Sequence, residues 1–165
     1  MGGDMINGIL DLCAWAEADQ LRATTHNKGI MNGIDAVGRA LCQDTRAMEA
    51  AAHSYASYIA EDGSRYAPLS SYKLDEDGNL VGRIGLPIMV GTVGGAAGAN
   101  QELTRAFLEI MKCDNSRALS EVMAAVGLAQ NFSALRMLVS FGLSKGHGEL
   151  NRAMKGREWM LRNTG

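Results

Sequence analysis

A chain of 165 residues, 47% hydrophobic and 21% charged, fits one domain with a sizeable buried core. A formal net charge of −2 with scattered Lys and Arg leaves no footprint for nucleic acid and no polybasic membrane patch, and 5% aromatics leave no base-stacking platform. Three cysteines, no uninterrupted apolar run of about 18 residues and no basic-then-apolar leader give the expectation of reduced thiols in a soluble, cytoplasmic protein without a membrane segment.

In chain order, Asp4 is placed to cap a helix running to about Ala18, with Ile6, Ile9, Leu10, Cys13, Trp15 and Ala16 on its apolar side. A lysine without charged neighbours, Lys28, stands in a small-residue turn, and a second helix follows from Asn27 to Leu41. Asp44 is an N-cap for a third helix, whose periodicity through Met48, Ala52, Tyr55 and Ile59 runs to about Ala60. After a turn at Glu61–Ser64, the segments Tyr66–Leu74 and Asn79–Met89 read as strands joined by the Asp75–Asn79 turn. A glycine-rich loop spans Gly91–Gly98. Helices follow over Glu102–Lys112 and Ser116–Phe141, the latter apolar on every side and so expected at the domain centre, and a last helix covers Glu149–Arg162. The expected fold class is α+β, mostly helical with a long central apolar helix and a β-hairpin.

Several residues carry chemistry, each beside a plainer alternative. Lys28, opened up by Gly29 and Gly33, suits a fixed electrophile or an ordinary surface lysine. The glycine loop suits an anion cradle or a tight connection, and it matches neither common nucleotide-binding spacing. His26, His53 and His147 lack metal-ligand spacing and no C-x-x-C pair exists, so no metal site is expected. His53 reads as a partly buried packing residue. His147, in Lys145-Gly-His-Gly148, sits on a flexible step and is either a mobile proton donor or a solvated loop residue. Gln130 and Asn131 interrupt an apolar helix, so each either satisfies nearby backbone or points into a pocket.

Read together, these segments resemble the 3-hydroxy-3-methylglutaryl-CoA reductase family, especially its soluble bacterial and archaeal class. The matching pieces are Arg22-Ala-Thr-Thr-His-Asn-Lys-Gly-Ile-Met-Asn-Gly-Ile-Asp35, Gln43-Asp-Thr-Arg-Ala47, Ala52-His-Ser-Tyr-Ala56, Gly91-Thr-Val-Gly-Gly-Ala96, Ala125-Val-Gly-Leu-Ala-Gln-Asn131 and Lys145-Gly-His147, in the family's order. The resemblance implies reduction of a CoA thioester to mevalonate by two hydride transfers from NADPH or NADH. It gives Lys28 the role of stabilising the thioester oxyanion, Asp44 that of tuning the lysine, and His147 that of protonating the CoA thiolate. Arg22, Asn32 and Gln130 fall where the family holds the hydroxymethylglutaryl group, and Gly94 and Gly95 lie near the cofactor.

The resemblance also implies parts this chain lacks: a catalytic glutamate and the inserted small domain that binds the dinucleotide. Residues 1–150 therefore read as a partial catalytic large domain, and 151–165 as a divergent tail. Cys42 stands where the family has a glycine, Gly38 and Arg39 replace apolar residues, and Asn151 stands where a second histidine is common. Two functions follow. One is a fragment or one subunit of a split enzyme, working as a homo-oligomer or with a complementary half-chain. The other is a non-catalytic homologue that binds a partner or CoA thioesters.

Overall fold

The computed structural model describes residues 3–60, 65–92 and 101–163, with side chains given for all of these except 101 and 141–163. Helix α1, Gly3–Ala18, carries Asp4 in its first turn, where the helix dipole favours a carboxylate, rather than at the cap. It buries Ile9, Cys13 and Ala16. Trp15, expected with them, is instead 49% exposed.

Helix α2, Gln20–Ala40, begins well before the expected Asn27 because Asp19 caps it, its carboxylate accepting from Leu21 N at 2.7 Å and Arg22 N at 3.0 Å. The Thr24 and Thr25 hydroxyls donate back to the carbonyls of Gln20 and Arg22, each at 2.9 Å, so both are satisfied within the helix. Lys28 is consequently a mid-helix residue and not part of a turn. The helix ends in a turn with Gln43 N bonded to Gly38 O at 2.8 Å, and Cys42 adopts φ 54°.

Helix α3, Thr45–Tyr58, starts at the expected Asp44, whose Oδ1 accepts from Ala47 N at 3.1 Å. Strands β1, Ser70–Leu74, and β2, Leu80–Ile84, form an antiparallel hairpin in the register Ser70↔Ile84, shorter at both outer ends than the sequence suggests. Asp75 Oδ1 ties the turn by accepting from Asp77 N and Asn79 N, and Gly78 takes φ 78°. Helix α4 covers Gln101–Met111, and helix α5 runs unbroken over Ser116–Asn163. The flexible step expected at Lys145–Gly148 and the separate last helix are therefore one continuous helix.

Helices α2 and α5 cross closely because glycine stands at the contact on both. A Cβ on Gly33 would lie 2.9 Å from Gln130 Cβ, and one on Gly127 would lie 2.9 Å from Ile34 Cγ1. One cluster packs Ile30, Ile34, Leu41, Met48, Leu119 and Met123, and a second joins Ile9, Cys13, Tyr72 and Leu135. The buried stripe of α5 is Leu119, Met123, Gly127, Asn131 and Leu135, but Ala125, Ala129 and Ser133 are exposed and Met137 is 61% exposed. Over Ser116–Ser140, α5 therefore buries one face, contrary to the expected all-round burial. Ser116–Ser140 is long and apolar enough to cross a membrane, with mean hydropathy 1.4, and a core helix meets the same criterion.

Candidate active site

The close crossing of α2 and α5 creates a polar seam on the surface. Lys28 and Asn32 are one turn apart on α2 and both exposed, and Gln130 on α5 is exposed beside Gly33. The crossing thus brings Gln130, far away along the chain, beside the α2 face at Gly33. The two amides of α5 part company here. Gln130 faces solvent, whereas Asn131 is buried and fully engaged.

Asn131 sits at the centre of a buried polar network. Its Nδ2 donates to His26 O at 3.2 Å, which makes Oδ1 the acceptor for Ser70 Oγ at 3.0 Å and Tyr72 OH at 3.1 Å. Ser70 has then spent its proton, so the 2.7 Å contact with His26 runs from Nε2–H to Ser70 Oγ, leaving Nδ1 without a partner. Burial first, then the Arg22 charge, pushes the His26 pKa down to about 4, so the ring is neutral at pH 7. Asn27 extends the network, donating to Ala67 O at 2.9 Å and accepting from Leu69 N at 2.8 Å. These bonds fix the rotation of α2 against α5 and the hairpin. Sequence spacing signalled only the Asn131 member, as a polar interruption of an apolar helix.

Arg22 is 8% exposed, and its Nη1 donates to Thr25 Oγ1 at 3.0 Å. Nε and Nη2, the two donors of one guanidinium edge, have no hydrogen-bond partner. Burial lowers the Arg22 pKa, with an opposing rise from Cys13, whose own thiol burial lifts to about 11. Since that thiol is neutral at pH 7, it does not balance the cation. A buried guanidinium with an empty bidentate edge is costly on its own and well shaped for a carboxylate.

Asp44 is exposed as the α3 cap, beyond the end of α2, and Ala40 alone is about 18 Å along the helix from Lys28. Among the described residues, no ion pair joins Lys28 to Asp44. His147 lies on α5 in the part whose side chains are outside the description, as Gly94 and Gly95 lie outside the described residues. No metal-binding group of three or more acidic, His or Cys residues occurs among the described residues. His53 packs as expected, with Nδ1 2.6 Å from Tyr66 OH. A cleft of about 710 Å³ between Glu17, Tyr55, Ile59, Ser71 and Arg83 contains none of the candidate residues, so the chemistry of the seam, not cleft size, defines the site.

The scaffold is a helical α+β domain that carries a buried, half-unpaired arginine, an exposed lysine and exposed amides on α2 and α5. Comparison with known proteins makes this specific. The family model described as hydroxymethylglutaryl-coenzyme A reductase matches residues 1–152. The chain is 47% identical over 150 residues to the 3-hydroxy-3-methylglutaryl-coenzyme A reductase of Archaeoglobus fulgidus, covering 91% of this chain and 33% of that protein. It is 42% identical over 133 residues to a probable reductase of the same name from Borreliella burgdorferi, covering 81% of this chain and 30% of the relative. The class II enzyme of Streptococcus pneumoniae, solved bound to NADPH in open conformations, superposes with TM-score 0.74 at 41% identity, covering 88% of this chain and 34% of that one. The chain belongs to the hydroxymethylglutaryl-coenzyme A reductase family. It spans about a third of the length of these relatives.

Proposed function

We propose that residues 1–150 form the partial catalytic large domain of a reductase that converts hydroxymethylglutaryl-CoA to mevalonate and CoA, with 151–165 as a divergent tail. The chain acts as a fragment or one subunit of a split, cytoplasmic enzyme, completed by a second copy or a complementary half-chain. The observation that carries this reading is Arg22, buried with the Nε–Nη2 edge unpaired, where a substrate carboxylate supplies the missing charge. Asn32 and Gln130 flank the acyl group from the seam, and Lys28, one turn from Asn32, supplies positive charge to the developing thioester oxyanion. Asp44 tunes that lysine once the missing partner completes the cleft, and His147 protonates the departing thiolate. NADPH or NADH supplies hydride. The loop expected near it, with Gly94 and Gly95, lies outside the described residues, so no hydride step is derived from this chain's atoms.

Titration calorimetry with hydroxymethylglutaryl-CoA tests the anchor. Wild type binds, Arg22→Ala weakens binding at least tenfold, and Arg22→Lys does not restore it because an ammonium has no planar fork. Equal affinity for wild type and Arg22→Ala contradicts the reading.

A second reading, a non-catalytic homologue binding a partner or CoA thioesters, is favoured by Cys42, Gly38 and Arg39, which depart from the family's pattern, and by the divergent end. Under it, binding survives Lys28→Ala together with His147→Ala, and no complementary chain yields turnover.

A further inference from the structure

Trp15 breaks the pattern of its helix. Ile9, Cys13 and Ala16 are buried on α1, while the largest apolar side chain of the set is 49% exposed. Its ring lies against α2, with Arg22 Cζ 5.9 Å from the ring centroid. Among the described residues no carboxylate pairs with that guanidinium, and the indole face is the electron-rich group against it. The Nε and Nη2 atoms of the same guanidinium are closed to solvent and unpaired.

We propose that Trp15 is a positioning residue of the carboxylate anchor, its ring face holding the Arg22 guanidinium in the orientation that presents the Nε–Nη2 edge to the ligand's carboxylate. The inference rests on the reading of Arg22 as that anchor. An arginine side chain has many rotamers, and an anchor left free loses part of its binding energy to ordering. An indole face against the cation orders the guanidinium without occupying its donors, since cation–π contact uses the ring face and leaves the Nε–Nη2 edge for the ligand.

The test uses the full chain and 3-hydroxy-3-methylglutarate, the free acid without CoA, as probe. Trp15→Phe and Trp15→Leu have similar apolar bulk, but only the former keeps a π face. Calorimetry is expected to show Trp15→Phe within about threefold of wild type and Trp15→Leu weaker by about tenfold, with matching thermal midpoints. In a Trp159→Phe background, the remaining Trp15 emission shifts with the same midpoint as the calorimetric titration. If Trp15→Leu binds like Trp15→Phe while Arg22→Ala does not bind, the inference is overturned and the anchor stands. If Arg22→Ala binds normally, or wild type shows no binding, the anchor reading falls and this inference with it. An emission that ignores a saturating ligand also overturns it.

Discussion

Cys42 holds φ 54° at the end of α2, at the position where the family resemblance places a glycine. A residue with a Cβ in the left-handed region costs about 1–2 kcal/mol from the clash with its own carbonyl. Glycine removes that clash, but it gives the unfolded chain more freedom, worth about 0.4–1 kcal/mol in the opposite direction. Cys42→Gly should therefore stabilise the fold by about 0.5–1 kcal/mol net, a rise of roughly 1–4 °C in Tm for a domain of this size. The control is Cys42→Ala, which removes the thiol and its local interaction but keeps the Cβ. Urea and thermal unfolding followed by circular dichroism should rank Gly above Cys, with Ala no better than Cys. If Ala matches Gly, the strain argument is wrong and the effect belongs to the thiol.

The buried His26 makes stability depend on pH. Its folded pKa, about 4, lies below the unfolded value of about 6.5, so the unfolded chain binds more protons between these values. Its contribution, roughly 3 kcal/mol, is fully present above pH 6.5 and fades as pH falls towards 4. Asp35, whose pKa is raised by burial and then Glu49, acts with the opposite sign, so the comparison is between wild type and His26→Gln at pH 7 and pH 5. A gap between the two proteins that does not narrow at pH 5 refutes the assignment. At the helix crossing, Gly127→Leu drives side-chain atoms into Ile34 and Ile30 and should cost about 1–3 kcal/mol or more in urea unfolding; a neutral outcome would show that α2 and α5 separate without penalty.

Much of the scaffold is legible in the sequence where a local device fixes it. Asp44 caps α3, the Asp75–Asn79 turn closes the hairpin, and apolar spacing marks α1 and α4. The start of α2 is not, because Thr24, Thr25, Asn27 and Gly29 are weak helix formers. The early cap at Asp19 and packing against α5 override their propensities. Likewise Gly142, Gly146 and Gly148 look like breakers but do not interrupt α5. The candidate residues could be named from the resemblance. Their placement could not, since the approach of Gln130 to α2 at Gly33 follows from glycines on two helices, and the orphaned edge of Arg22 from burial.

The most direct measurement is NADPH consumption when this chain is mixed with a polypeptide carrying the remaining two-thirds of the pneumococcal relative, in the presence of hydroxymethylglutaryl-CoA. Oxidation should appear only in the mixture, and Lys28→Ala in this chain should lower it by about 100-fold or more. No oxidation at any ratio, or a rate indifferent to Lys28, contradicts the account.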